Sequence, residues 1–282
     1  MTQFALICLR GLLVASLVLA PGLLLPDISP DVAQGVTLLA LLAAVVVVTE
    51  YSARYPGLIE FRDAKPYNRG RFLLLAGIVL SLIVLQRDIV LYPDTPSLLT
   101  HLALALGNLM HFSFSPVALL VASLPQGLPG PHLANVAISA ALAYIVSLLG
   151  LGLFVLGLLT GYWPRRNAVF NVWVNLPNFD PTKGVDVVQR LERDGQLNIA
   201  LGIIMPFSLP ALLHLSTLLV QPLTLESPLA LIWGLTLWAI IPVNLIMRGA
   251  SMYRIAQLIR AQRRRIAEAE DAVPLPSQSA YS

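Results

Sequence analysis

The chain holds a single cysteine, Cys8, and it sits inside an apolar run. One thiol can close no internal disulfide and build no cysteine metal site, so oxidative stapling and zinc-finger architectures are excluded. Charge is scarce as well: Asp, Glu, Lys and Arg make up 12% of the residues, where soluble domains carry about a quarter. The short catalytic motifs are missing too. There is no H-E-x-x-H, no G-x-S-x-G, no Walker A loop, and no G-x-G-x-x-G behind a strand pattern. No apolar run carries the paired carboxylates that ion coupling or intramembrane aspartyl proteolysis requires, and no internal repeat of the kind common in secondary transporters is visible. These absences point away from catalysis and give no reason to expect a cofactor or a metal.

What the chain has is apolar length. Of its 282 residues, 57% are hydrophobic, and runs of about 20 apolar residues match the roughly 30 Å hydrocarbon core of a bilayer. Six stretches qualify as spans: Phe4–Leu25, Val32–Val48, Phe72–Leu91, Val136–Gly161, Ile199–Val220 and Ala230–Met247. The first is read as a retained span and not as a secretory signal, because no charged region precedes it and no A-x-A site follows. Its Arg10 is expected to reach toward the surface.

The net charge of +3 and pI near 9.2 suggest membrane topology and not nucleic acid, since basic residues collect in cytoplasmic loops. Sixteen of the 18 basic residues fall in three segments, Glu50–Arg71, Tyr162–Asn198 and the tail from Arg248. Six spans with both termini in the cytoplasm keep all three on the inner side; a seventh span would move at least one of them out. The preference for Arg over Lys (only Lys65 and Lys183) fits a GC-rich bacterial genome, hence a bacterial inner membrane.

The seventh apolar stretch, Ser97–Leu124, is then an outer-face amphipathic or re-entrant segment. His101, Asn108, His111 and Ser115 would share about 80° of a helix surface. His101, His111 and His214 are candidate haem, pigment or proton-relay positions, because ionisable groups inside a membrane are functional candidates; the alternative is an interfacial polar stripe. His214 lies in a span that Pro206 and Pro210 are expected to kink.

In the fourth span Ser139, Ala143, Ser147, Gly157 and Gly161 form a small-residue face for close helix packing. On the inner side, Tyr51, Tyr55, Phe61 and Tyr67 alternate with basic residues as headgroup anchors. The segment 170–175 alternates like an extended strand. A short helix follows, with Asp180 as cap, Pro181 at its first turn and Gly195 as its stop. In it, Asp186–Arg190 and Arg190–Asp194 have i,i+4 spacing. Its stripe of Val185, Val188 and Leu191, with Arg190, forms either a partner-docking surface or a lid over the chain's own helices. The tail places Arg254, Arg260, Arg263, Arg264 and Arg265 around an apolar stripe suited to anionic lipid.

The expected architecture is all-α and polytopic. Residues 1–247 form the transmembrane domain, with cytoplasmic loops at about 50–71 and 162–198. Residues 248–271 form a basic amphipathic cytoplasmic helix, and 272–282 a disordered tail. The function expected is a non-catalytic accessory, scaffold or assembly subunit of a membrane complex, with lipids and other membrane subunits as partners and no nucleic acid. A small-molecule or ion transporter or channel is the alternative, and a histidine-dependent enzyme or haem or pigment protein the third.

Overall fold

The computed structural model describes residues 2–26, 28–55, 57–62, 64–164, 175–176, 179, 186–216 and 224–271. They form α1 (Thr2–Leu24), α2 (Pro30–Ser52), α3 (Lys65–Leu91), α4 (Leu98–Leu109), α5 (Pro116–Ala122), α6 (Gly130–Leu159), α7 (Val187–Ser216) and α8 (Pro228–Asp271). No strand occurs among the described residues. Six of the helices, α1, α2, α3, α6, α7 and α8, are long and apolar enough to cross a membrane, the signature of a multi-pass membrane protein.

At the centre, α3, α6 and α8 pack together. Ile78, Val79 and Leu82 of α3 meet the alanine-rich face of α6 and Ile232, Leu235 and Val243 of α8. Small side chains let helix backbones approach where apolar burial alone offers little gain, since lipid is as apolar as leucine. Ser139, Ala143 and Ser147 are indeed enclosed there. Gly157 and Gly161 are not part of that face: a Cβ on either would meet nothing within 4 Å. Gly161, at φ +72, instead ends α6. The amide of Tyr162 reaches the Gly157 carbonyl at 3.1 Å, the pattern of a glycine C-cap.

A polar joint locks α3 to α6. Gln86 and Asn135 exchange amide hydrogen bonds, each 3.0 Å, and Gln86 also donates to Ser139 Oγ at 2.9 Å. Gln86→Leu leaves the Asn135 amide and Ser139 hydroxyl without it. The unfolding midpoint in detergent is expected to fall by the equivalent of about 1 kcal/mol, the usual scale for such bonds between membrane helices.

The remaining elements lie around this trio. α1 and α2 pair as a hairpin in which a Cβ on Gly11 would come 2.9 Å from Val48, and the pair attaches through α1 to α3 and α8. α7 lies along α8. It is continuous from Val187 to Ser216 through Pro206 and Pro210, which corrects two expectations. The short cytoplasmic helix and the fifth span are one helix, and Gly195 does not stop it. Glycine stands there because α8 passes so close: a Cβ on Gly195 would lie 3.0 Å from the Gly249 carbonyl oxygen. α8 likewise runs 44 residues without a break at Met247, about 66 Å at 1.5 Å per residue. That is roughly twice a bilayer core.

The stretch Ser97–Leu124 is not one helix. α4 ends at Leu109, and Ser115 is a buried N-cap of α5, accepting from the Ala118 amide at 2.9 Å. The turn before Pro116 interrupts the helix, so the expected common stripe of His101, Asn108, His111 and Ser115 does not form. At 12 and 7 residues, α4 and α5 are too short to span a bilayer. Asp88 at the end of α3 anchors α4 by accepting from Ser97 Oγ and from Thr100 Oγ1 at 2.8 Å.

Candidate functional site

The three basic segments, far apart in sequence, meet at one end of the bundle. The loop between α2 and α3 is built there from its own polar groups. The Glu50 carboxylate accepts from the amides of Gly57, Leu58 and Ile59 at 3.0, 2.9 and 3.1 Å. Arg62 donates back to the Ala53 carbonyl at 2.5 Å. A carboxylate bound to consecutive amides fixes a turn that has no sheet or helix to satisfy it. Phe61 closes the turn at φ +53, its amide bonded to the Asn175 carbonyl at 2.6 Å. A bulky side chain in the left-handed region is strained and persists only where packing over-determines it.

That packing is an aromatic plug. Phe61 and Tyr67 are fully enclosed, with ring centroids 4.3 Å apart. Trp163 lies 5.9 Å from Phe61, and Phe154 5.6 Å from Tyr67. This corrects the reading of Phe61 and Tyr67 as headgroup anchors. Interleaving with arginine looks the same in sequence whether an aromatic side chain turns outward or in.

Ion pairs then tie the loop and α7 to α8. Arg248 grips Glu60 in a two-pronged bond of 2.6 and 2.9 Å, and Arg71 donates to Asn244 Oδ1 at 3.0 Å. Arg260 pairs with Glu192 at 2.5 Å and Arg263 with Asp186 at 2.7 Å. The expected lipid-surface role of the tail arginines is therefore divided. Arg260 and Arg263 point back to α7, and Arg254 donates to Gln257 at 3.2 Å. Arg264 and Arg265 are exposed.

The docking stripe is revised similarly. Val188 and Leu191 are buried within the chain, so neither is presented to a partner, and Arg190 lies 4.7 Å over the Phe179 ring. Asp186 meets Arg263 on α8, and Asp194 meets its neighbour Arg193 at 3.4 Å. Val185, the Asp180–Pro181 cap, the alternating residues 170–174 and the tail 272–282 lie outside the described residues.

His101, His111 and His214 are all exposed, on α4, on the turn behind it and on α7. His132, which sequence reasoning passed over, holds the Thr224 carbonyl at 2.9 Å. Among the described residues no three His, Cys, Asp or Glu side chains gather where a metal ion could be held.

Two open cavities flank the N-terminal half of α3. One, of about 470 Å³, runs between α3 and α6 and is lined by apolar groups such as Leu73, Gly77, Leu149 and Leu153. The other, of about 710 Å³, lies between α1, the end of α2, the Glu50–Arg62 loop and α3. It combines Arg10, Arg62, Arg69 and Arg71 with a wall of leucines. Sequence reasoning missed it because its arginines come from three separate elements; Arg10, a lone charge within an apolar run, was the available signal. No protein-family model matches the chain, and comparison with curated proteins and with solved structures yields no match either.

Proposed function

We propose that this chain is a non-catalytic, multi-pass protein of a bacterial inner membrane, serving as an accessory or scaffold subunit of a larger membrane assembly. In this reading the basic end and both termini face the cytoplasm, and α4–α5 cap the outer end. One observation carries it. The polar groups of the bundle are consumed in holding its own helices, while the α1–α2 hairpin hangs at the rim with its apolar side uncovered. Of α2, only Ala40 is buried, and Leu38, Leu41, Leu42 and Val45 are all more than half exposed. A hairpin so loosely held contributes little to the bundle's stability, which fits a surface kept for helices of another subunit.

The test is a photo-crosslinking side chain at Leu38 or Leu42, activated in native membranes. Discrete adducts with defined membrane proteins, matching a stoichiometric complex in mild detergent, are the expected result. Adducts with lipid alone, and a solitary protein in detergent, would end the subunit reading. Orientation is tested separately in a Cys8→Ser background. A cysteine at Gln126, between α5 and α6, is expected to react with a membrane-impermeant maleimide from outside the cell.

A further inference from the structure

We propose that the cleft between α1, the end of α2 and α3 is a binding site for one anionic phospholipid of the surrounding bilayer. Its head group would be held by Arg10, Arg69 and Arg71, and an acyl chain laid along Leu6, Leu9 and Leu13. The inference needs the membrane placement of the chain and not its role as a subunit.

Charge is the first argument. Among the described residues no carboxylate lines the cleft, and none of Arg10, Arg69 and Arg71 forms an ion pair there. Two of them are instead held by neutral groups, which orient a guanidinium without cancelling its charge. Arg10 stacks 4.2 Å above the Tyr51 ring. Arg71 is fixed between Asn244, at 3.0 Å, and the Tyr67 ring, at 5.5 Å. The nearby acid, Glu50, is turned to the loop amides of residues 57–59. The chain elsewhere matches its basic groups with acids, as Arg248, Arg260 and Arg263 demonstrate. Here it gathers cations and leaves them to an outside anion, and guanidinium groups bind phosphate oxygens in paired hydrogen bonds.

Shape and position are the second. The volume, about 710 Å³, lies in the range of small-molecule sites, roughly 300–1,000 Å³. Its arginines lie where α1 and α3 begin and α2 ends, and its apolar wall continues along α1 to Leu13 and Val14 and along α3 to Leu73. A soluble anion would satisfy the first part only. A phospholipid satisfies both, because its phosphate sits at the same level as the head of the helices and its chains run with them.

The test uses the intact protein, purified in mild detergent and examined by native mass spectrometry with added phosphatidylglycerol or phosphatidylcholine. One phosphatidylglycerol is expected to persist through delipidation where phosphatidylcholine does not. Arg10→Gln with Arg69→Gln is expected to weaken that retention about thirtyfold, from two arginines acting near an anionic head group. The unfolding temperature should not change, since neither side chain holds an element in place. Leu13→Trp, which fills the apolar limb and leaves every charge, is expected to expel the lipid as well. Arg264→Gln with Arg265→Gln should leave retention intact. Equal retention of the two lipids would overturn the proposal. So would indifference to the Arg10 and Arg69 changes, displacement by millimolar glycerol phosphate, or a second copy of the chain filling the cleft.

Discussion

Gly249→Leu is expected to part α7 from α8 and to lower stability by about 3 kcal/mol or more, the upper range for forcing bulk into a packed site. A Cβ at Gly249 would press into the Gly195 carbonyl oxygen, lie 2.8 Å from Ile199 Cγ1 and 3.1 Å from Asn198 Cβ. The first of these is backbone, which cannot turn aside as a side chain can. The same helix pair is equally tight at Gly202, where a Cβ would fall 2.6 Å from the Pro242 carbonyl oxygen. Separation at Gly249 also pulls Asp186 and Glu192 from Arg263 and Arg260, so the loss is cooperative. Gly249→Ala should cost less, about 2 kcal/mol. Gly35→Ala on α2 is the control, because its Cβ would meet nothing within 4 Å. Denaturant titration in detergent reads all three; a Gly249→Leu protein as stable as the Gly35→Ala control would mean that the close crossing does not hold α7.

The second large effect is expected at Glu60. Glu60→Ala leaves the Arg248 guanidinium, with its side chain only 25% exposed, facing a vanished partner. Stability should fall by about 3 kcal/mol, the lower end of the cost of removing one member of a buried pair. The loop between α2 and α3 should also become cleavable between Gly57 and Arg62, since Glu60 is its anchor to α8. Arg248→Met combined with Glu60→Leu is expected to recover most of the loss, because two apolar groups leave no charge unpaired. Singles and double that are equally unstable would show that the loop is held by the Phe61 plug and not by the ion pair.

The two sites differ in how visible they were before folding. Glycines at 195 and 202 lie seven residues apart, two turns of one helix face, but Gly195 reads as a helix stop after a charged stretch. Only the presence of α8 across that face converts it into a packing position. Glu60 and Arg248 are 188 residues apart, and no local pattern pairs them. The docking stripe failed for a related reason. Val188 and Leu191 were correctly recognised as one apolar face, but an apolar face is equally satisfied by the chain's own helix and by a partner's.

What the sequence determined by itself was what must be hidden from water and where the charge must lie. Six apolar runs of span length, interrupted by basic segments, dictate six helices, because a backbone in hydrocarbon has to satisfy its own hydrogen bonds. The gathering of the basic segments at one end follows from the even number of crossings. Tertiary structure alone decided which side chains face one another: the glycine crossing of α7 and α8, the inward turn of Phe61 and Tyr67, and the arginines assembled around one cleft. Hydropathy is a property of each segment, whereas contact distance and charge pairing belong to segments brought together, and helices that are all apolar carry little sign of their neighbours.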